Sequence, residues 1–376
     1  MNIGIDGNEA NIKNRVGVNK YAYEMLLGLQ KENEKKVDPN NLIVYLKNEP
    51  LKDLPRETKY FSYKIINGGG LWILTRLMPY LWKNPDKIDC LYSPSHYVPM
   101  FLSIPRICSI MDLDYLNNSE HFEKKVFWQL KYWTAISIFV SKRILTISDS
   151  SKRDIVRHYP FASNKITVTH LGYDRDKFNL NVSNDLVRRV KNRYSIVDDY
   201  ILFVSTLKPS KNIEGLIDAF ASLSSKYPKL SLVVAGKKGW MFEKIYERVE
   251  KLNLTKKIIF TDFFSEEERP ALMAGCKFYC LPSFWEGFGL EILSAFGCGK
   301  PVVVSNVGSI PEVAGEAGIY VDPNDIESIA AGMENVLNMS EKEYNSIVEL
   351  GFKQAKKFSW EECSKKTLKV IENIND

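Results

Sequence analysis

The residues best suited to chemistry in this sequence lie in one loop. Glu286 is followed by Gly287 and Gly289, and then by an apolar segment that predicts a helix from Leu290 to Phe296. Glycines let the backbone turn without Cβ clashes, and the amide groups that open a helix attract an anion, for which a phosphate fits best. A carboxylate beside that anion is suited to hydrogen-bond neutral hydroxyls, as on a sugar. The pattern therefore predicts a seat for a nucleotide sugar.

The elements around this loop are a strand, a helix and a second strand. Phe278 to Leu281 is a short apolar run that predicts a buried strand, and Pro301 to Ser305 predicts the next one. Similar alternation occupies both halves of the chain, and strands that alternate with helices predict parallel sheets covered on both faces. Since 376 residues exceed what one core usually holds, we expect two such domains.

The composition is that of a globular protein, with 45% apolar and 26% charged residues. The net charge of +5 suits phosphorylated substrates or an anionic membrane surface, and is too small to indicate nucleic acid. The six cysteines form no CxxC pair and have no metal spacing with the four histidines, so they indicate reduced thiols. We find no signal peptide and no apolar window long enough to span a membrane, which predicts a cytoplasmic protein.

At the loop of Glu286 the sequence resembles the retaining glycosyltransferases of family 4, and the resemblance extends over nearly the whole chain. It implies an α/β protein with the GT-B fold, in which two Rossmann-like doubly wound parallel-sheet domains face each other across a cleft. The expected division is an acceptor domain of residues 1–180, completed by a C-terminal helix at 359–376, a linker at 181–199, and a nucleotide-sugar-binding domain at 200–358.

The resemblance also implies roles for single residues. Members of the family place a Glu at the position of Glu286 to contact the donor sugar, and a second Glu eight residues later to hold the ribose hydroxyls. This chain has Ser294 at the second position, which departs from the family pattern. Glu291 lies one helical turn before Ser294 on roughly the same face, so whether it replaces the missing carboxylate stays open.

A second loop is expected to neutralise the diphosphate. Lys211 matches the lysine that similar enzymes use there, and Lys208 can share its work because the usual arginine positions hold Thr206 or Ser210. The donor-binding residues implied by the resemblance are Gly17, Thr206, Lys208, Lys211, Phe263, Glu286, Gly287, Phe288, Gly289, Leu290 and Ser294.

The reaction centre departs from the family at another point. Similar enzymes often carry His-Asp-Leu after a strand of the first domain, where this chain has Met111, a thioether that cannot accept a proton at neutral pH. Asp112 is a candidate acceptor-side group, although it can equally start a turn before a helix. His96 is a further candidate, with a packed structural histidine as the alternative. The predicted catalytic set is Glu286, Lys211, Asp112 and His96.

These features predict an enzyme that moves a hexose from a nucleoside diphosphate sugar to a hydroxyl of a glycan or lipid-linked acceptor in surface polysaccharide synthesis. The resemblance implies retention of configuration and favours mannose. We expect no cofactor and no metal, since no DxD-like carboxylate pair lies beside the phosphate seat and Lys211 with the helix terminus can replace one. Met111 and Ser294 keep open a catalytically silent nucleotide-sugar-binding subunit, and a nucleotide-sugar epimerase is a third alternative.

One predicted helix bears on location. Residues 120–142 mix aromatic side chains with lysines, a composition that occurs in helices on membrane surfaces and also in helices packed on a sheet. Ordinary packing is the favoured interpretation. Peripheral contact with the inner face of a membrane stays open as a second one.

Overall fold

The structure is a computed structural model that describes residues 1–117, 122–239, 241–262 and 264–375. The chain divides into two compact units. The first consists of Met1–Gly172 together with Ser359–Asp376, and the second of Tyr173–Phe358. Each unit is built on one parallel sheet, as the alternation of apolar strands and helices predicts.

The first unit contains a seven-stranded parallel sheet in the order β3-β2-β1-β4-β5-β6-β7. Its inner strands are mostly buried, which is usual where helices cover both sides of a sheet, whereas the edge strand β3 alternates between buried and exposed residues. The chain order reverses between β1 and β4, so the loops after these two strands meet at one edge, the place where α/β sheets bind ligands. The strands are β1 (Asn2–Asp6), β2 (Asn41–Leu46), β3 (Phe61–Ile65), β4 (Cys90–Ser93), β5 (Arg106–Ser109), β6 (Arg143–Thr146) and β7 (Ile166–Val168).

Helices of the first unit pack on this sheet and on one another. The C-terminal helix lies against α1, where Gly28 permits close approach: a Cβ there would stand 1.8 Å from the Ser364 hydroxyl. An ion pair between Lys35 and Glu361, 2.6 Å long, joins the same two helices. The helices are α1 (Val18–Glu34), α2 (Met78–Lys83), α3 (Asp114–Asn117), α4 (Lys124–Val140), α5 (Asp149–His158) and the C-terminal α14 (Trp360–Glu372).

The second unit contains a six-stranded parallel sheet in the order β10-β9-β8-β11-β12-β13, with the reversal between β8 and β11. The strands are β8 (Asp199–Val204), β9 (Leu230–Ala235), β10 (Ile258–Asp262), β11 (Phe278–Leu281), β12 (Val302–Ser305) and β13 (Gly318–Val321). The helices are α6 (Asn184–Arg193), α7 (Ile213–Leu223), α8 (Glu243–Lys251), α9 (Arg269–Gly275), α10 (Leu290–Gly297), α11 (Ile310–Ala314), α12 (Ile326–Leu337) and α13 (Glu341–Ala355).

The boundary between the units differs from the predicted one. The first unit ends at Gly172 rather than at 180, and residues 181–199 belong to the second unit instead of forming a separate linker. The physical reason is α6, which packs on α9: Arg193 pairs with Glu268 at 2.7 Å, and the Tyr194 hydroxyl donates to the same carboxylate at 3.0 Å. The polar sequence of this stretch reflects its outer face.

The predicted pair of Rossmann-like parallel sheets is confirmed by both topologies. The six cysteines are free and buried, and burial raises the pKa of their thiols, as in Cys108, where it reaches about 12. Among the described helices, none combines the length and the apolar character that crossing a membrane requires.

Candidate functional site

Two charged side chains meet at the reversal point of the second sheet. Lys211 lies in the loop after β8 and Glu286 in the loop after β11, and these neighbouring strands bring both loops to the same edge. The Lys211 Nζ stands 2.6 Å from Glu286 Oε1, and the side chains are only 11% and 12% exposed. The structure therefore brings together the two residues that the sequence predicted to handle the diphosphate and the sugar.

Polar neighbours fix the Glu286 loop. The Ser283 hydroxyl donates to Glu286 Oε1 at 2.9 Å, which orients the carboxylate. The backbone carbonyl of Glu286 accepts from the Ser309 amide at 3.2 Å and from its hydroxyl at 3.0 Å. Gly308 has a φ of +57°, and a Cβ there would lie 2.6 Å from the Glu286 carbonyl oxygen. Only glycine fits at that position without moving the loop.

The Lys211 loop is held against the Glu286 loop by Asn212. This residue has a φ of +54°, which asparagine tolerates better than most residues. Its Nδ2 donates to the carbonyl of Pro282 at 3.0 Å and to that of Pro323 at 2.7 Å. The Phe284 amide also donates to the Ser210 carbonyl at 3.0 Å. The two loops that carry the ion pair are therefore joined by hydrogen bonds from the Asn212 side chain and by a backbone hydrogen bond.

The glycine turn has the conformation that the sequence predicts. Gly289 adopts a φ of +83° immediately before α10 and, as a glycine, makes no side-chain cap hydrogen bond to this helix. Gly287 and Phe288 are buried, and the Phe288 ring packs edge-on against Phe358 with centroids 5.8 Å apart. Leu290 begins α10. The turn leads the chain directly from Glu286 into α10, and the amides that open a helix are a common anion-binding group.

The position that departs from the family pattern is packed. Ser294 is 2% exposed in α10. Glu291 forms an ion pair with Arg269 at 2.7 Å. Burial raises the pKa of Glu291, against the lowering effects of Arg269 and of the Ser294 hydroxyl. Glu291 therefore pairs with Arg269, and its position does not indicate that it replaces the missing family carboxylate.

Two further residues of the second unit that the sequence predicts to bind the donor lie in the loop after β8. Leu207 continues the sheet by pairing with Lys238, and Thr206 and Lys208 flank it, both partly buried. A Cβ at Gly239 would stand 2.9 Å from the Thr206 methyl group, so this loop and the loop after β9 touch closely. Phe263, also predicted to bind the donor, lies outside the described residues.

The other predicted site residues belong to the first unit. His96 follows β4; burial lowers its pKa to about 4, and its Nε2 has no hydrogen-bond partner in the described part of the chain. Its ring packs on Tyr97 with centroids 4.0 Å apart. Asp112 Oδ1 accepts from the Asp114 amide at 3.1 Å, which is the turn that the sequence offered as the alternative to an acceptor-side role. Gly17 precedes α1 with a φ of +53°.

Asp6 is a buried carboxyl at the end of β1, beside the reversal point of the first sheet. Its Oδ1 accepts from the Asn8 amide at 3.1 Å and from Asn8 Nδ2 at 2.7 Å. Burial nevertheless raises the pKa of Asp6 to about 6. Glu9, in the same loop, also has a raised pKa because of burial, and accepts a hydrogen bond from Asn19. Two acidic groups whose ionisation is disfavoured by burial therefore lie at the end of the first strand and in the loop after it.

Comparisons with known proteins agree with this architecture. A family model described as glycosyl transferases group 1 matches residues 189–354. The chain is also 30% identical over 338 residues to O-antigen chain mannosyltransferase B of Escherichia coli, covering 85% of this chain and 87% of that relative. The chain belongs to the group 1 glycosyltransferases. This glycosyltransferase is likewise 30% identical over 261 residues to the serotype-specific mannosyltransferase WbdA of Escherichia coli, of which it spans 32%.

Solved structures show the fold of the glycosyltransferase. It superposes on Anabaena HepE in complex with UDP and glucose with a TM-score of 0.75 at 16% identity, covering 99% of this chain and 100% of HepE. It also superposes on WaaG, a glycosyltransferase involved in lipopolysaccharide biosynthesis, with a TM-score of 0.72 at 15% identity, covering 98% and 99% of the two chains. The expected GT-B fold is confirmed.

Sequence reasoning missed several residues that the structure of this glycosyltransferase brings out in each unit. Ser283, Ser309 and Asn212 hold the ion pair, and Asp6 ends the first strand of the other unit. A usable signal existed for both Asp6 and Asn212, because Asp6 ends β1 and Asn212 lies in the loop after β8, and both strands border a sheet reversal. For Ser283 and Ser309 the signal is tertiary, since their role is visible only once the strands are paired.

Proposed function

We propose that this glycosyltransferase transfers a mannosyl unit from a nucleoside diphosphate sugar, GDP-mannose being the expected donor, to a hydroxyl of a glycan or lipid-linked acceptor in surface polysaccharide synthesis. The observation that carries the proposal is the nearly buried ion pair of Lys211 and Glu286 at the reversal point of the second sheet, in the loops that precede α7 and α10. The choice of mannose is supported by the two Escherichia coli relatives, which are named as mannosyltransferases.

Lys211 and Glu286 have different roles once the donor binds. The diphosphate competes with Glu286 for the Lys211 ammonium group and gains the amides at the start of α10. Glu286, held by Ser283, is then able to accept hydrogen bonds from hydroxyls of the donor sugar. Positive groups aimed at the leaving oxygen stabilise the charge that develops as the glycosidic bond breaks. We propose that they do so without a metal ion.

Transfer exchanges one bond at the anomeric carbon. The bond to the diphosphate oxygen breaks, the bond to the acceptor oxygen forms, and the acceptor proton passes to the leaving diphosphate, with retained configuration. His96 is not charged near neutral pH because its pKa is about 4, so it can serve the acceptor only as a neutral ring. We assign the acceptor to the first unit, and we place the reaction at the inner face of a membrane through peripheral contact.

The test begins with nucleotide binding, since a ligand that binds only the folded protein raises the unfolding midpoint. We expect a rise with GDP and GDP-mannose and little with UDP, TDP or ADP, and turnover of GDP-mannose that survives a chelator. Lys211→Ala should remove most of the GDP effect. Lys226→Ala, which breaks an exposed Lys–Glu pair of the same unit with Glu334, is the matched control and should not.

Each contrary result has a definite meaning. A rise with UDP in place of GDP would overturn the expected donor, and a requirement for added metal would overturn the metal-free mechanism. Binding of GDP-mannose without turnover on any polysaccharide acceptor would favour a silent binding subunit. No rise with any nucleotide would overturn the site itself.

A further inference from the structure

Helix α4 of the first unit differs in composition from an ordinary helix on a sheet. Between Lys124 and Val140 it contains three lysines and no carboxylate, and apolar residues occur all around it. Its inner face is buried, with Phe127 and Leu130 packed on the core cluster that includes Cys108 and Ile144. A helix that is apolar on every side is normally covered on every side.

The outer face of α4 is not covered by the rest of the described chain. Trp128, Tyr132 and Phe139 lie along it at helical spacing, and Phe161 packs edge-on against Phe139 with ring centroids 6.1 Å apart. These four side chains, here called the aromatic face, are between 47% and 73% exposed. Contiguous exposed aromatic surface of this kind marks an interaction site.

Cations surround the aromatic face. The Lys131 Nζ lies 4.9 Å from the centroid of the Trp128 ring, and the Lys165 Nζ lies 5.9 Å from that of Phe161. Lys124 and Lys125 stand in the first turn of α4, where a positive charge opposes the helix dipole and therefore does not serve the stability of the helix. Lys124 and Lys125 are thus better explained by an anionic partner, whereas Lys165 also donates to the carbonyls of Phe139 and Ser141 at the end of α4.

A second basic feature adjoins the same core cluster. Val156 of α5 packs on that cluster together with Phe127 and Leu130 of α4. The outer side of α5 lines an open cavity of about 600 Å³ whose walls are Asp149, Lys152, Arg153, Val156 and Arg157. Three cations against one carboxylate extend the positive potential of this side of the first unit.

We propose that the aromatic face docks on the surface of an anionic phospholipid bilayer. Tyrosine and tryptophan settle at the level of the headgroups, and lysines with apolar stems reach the phosphates above them. A second copy of the chain fits poorly, because a two-fold contact would oppose like lysines without carboxylates to pair them. The inference extends the proposed function, on which it rests for the lipid-linked acceptor, but docking is measurable without any transfer.

The experiment is co-sedimentation of the full chain with vesicles of phosphatidylcholine alone and with about a third of phosphatidylglycerol. We expect binding only to the anionic vesicles, weakened by salt. Combined replacement of Lys124, Lys125 and Lys131 by glutamine should lower the partition coefficient by about a hundredfold. Combined Trp128→Ser, Tyr132→Ser and Phe139→Ser should lower it at least about tenfold.

The matched control is Leu180→Ser with Val197→Ser, two exposed apolar residues of the second unit, which should leave vesicle binding unchanged. A cooperative thermal unfolding transition without ligand shows that each variant is folded, and the surface lysine variant serves if the serine variant does not fold. No vesicle binding, or equal binding by all variants, would overturn the proposal. A self-association lost in the serine variant would assign the face to a second copy. Failure of transfer with intact vesicle binding would count against the proposed function alone.

Discussion

Lys211 Nζ and Glu286 Oε1 are 2.6 Å apart although the residues are separated by 75 positions in the chain. Both side chains are nearly buried, so each charge depends on the other when no donor is bound. Glu286 is consequently more than a loop carboxylate at the surface, because removing it leaves a lysine with an unbalanced buried charge. The pair therefore contributes to the stability of the second unit, in addition to the donor role that we propose for it.

A double-mutant cycle on Lys211 and Glu286 tests how strongly the two charges depend on each other. Lys211→Ala and Glu286→Ala should each lower the free energy of unfolding by about 3 kcal/mol, because each leaves one buried charge without its partner. The double variant should lose clearly less than the sum. Transfer should fall at least about a hundredfold in all three proteins. Chemical denaturation of the four proteins with assays of GDP-mannose turnover measures both effects.

Lys226→Ala is the control for this cycle, since its ion pair with Glu334 is more exposed and should contribute little to the free energy of unfolding. Strictly additive losses in the double variant would contradict the coupling. Full activity of Glu286→Ala would remove that residue from the site.

Gly308→Ala tests how the Glu286 loop is positioned. The alanine Cβ would meet the Glu286 carbonyl at 2.6 Å and would sit at a φ of +57°. We expect kcat to fall about tenfold or more while the protein stays folded, because small misplacements of a catalytic group are costly. Gly299→Ala has a similar φ of +67°, but its neighbours are side chains of Leu180, Phe352 and Val348. Gly299→Ala should lower the free energy of unfolding through backbone strain and leave kcat unchanged. Equal losses of kcat in the two variants would contradict this explanation.

The fold was predictable because its signals are local. Apolar runs such as Phe278 to Leu281 and the glycines before α10 define the alternation and the turn. The extent of the second unit was not predictable from polarity alone, since α6 is polar outside, buries Val190, and is joined to Glu268 through Arg193 and Tyr194. The ion pair itself depends on strand order, which brings the loops after β8 and β11 together.

Ser294→Glu would restore the family carboxylate and should fail to strengthen donor binding. Ser294 is 2% exposed, so a longer charged side chain must overpack its surroundings. Its hydroxyl also serves the Glu291 carboxyl, and two carboxylates there would repel each other. We expect the unfolding midpoint to fall and GDP affinity not to rise. The double variant with Glu291→Ser should recover part of the midpoint, and a gain in GDP affinity from Ser294→Glu alone would contradict the packing argument.

Asp6 makes stability depend on pH with a defined sign. Its pKa is raised from 3.8 to about 6 by burial, so the folded protein binds this proton more tightly than the unfolded chain does. The stabilising effect of that proton is complete below the unfolded pKa and is lost as the pH rises through about 6.

Asp6→Asn keeps an oxygen that can accept from Asn8 and removes the buried charge. It should therefore raise the free energy of unfolding by about 3 kcal/mol near pH 8, and by progressively less toward about pH 4. Asp53, whose pKa is lowered by Arg15, provides a contrast of opposite sign, since its contribution is lost as the pH falls. The measurement is the free energy of unfolding of both proteins by chemical denaturation across this pH range. A difference in unfolding free energy between Asp6→Asn and the unchanged protein that does not vary with pH would contradict the raised pKa of Asp6.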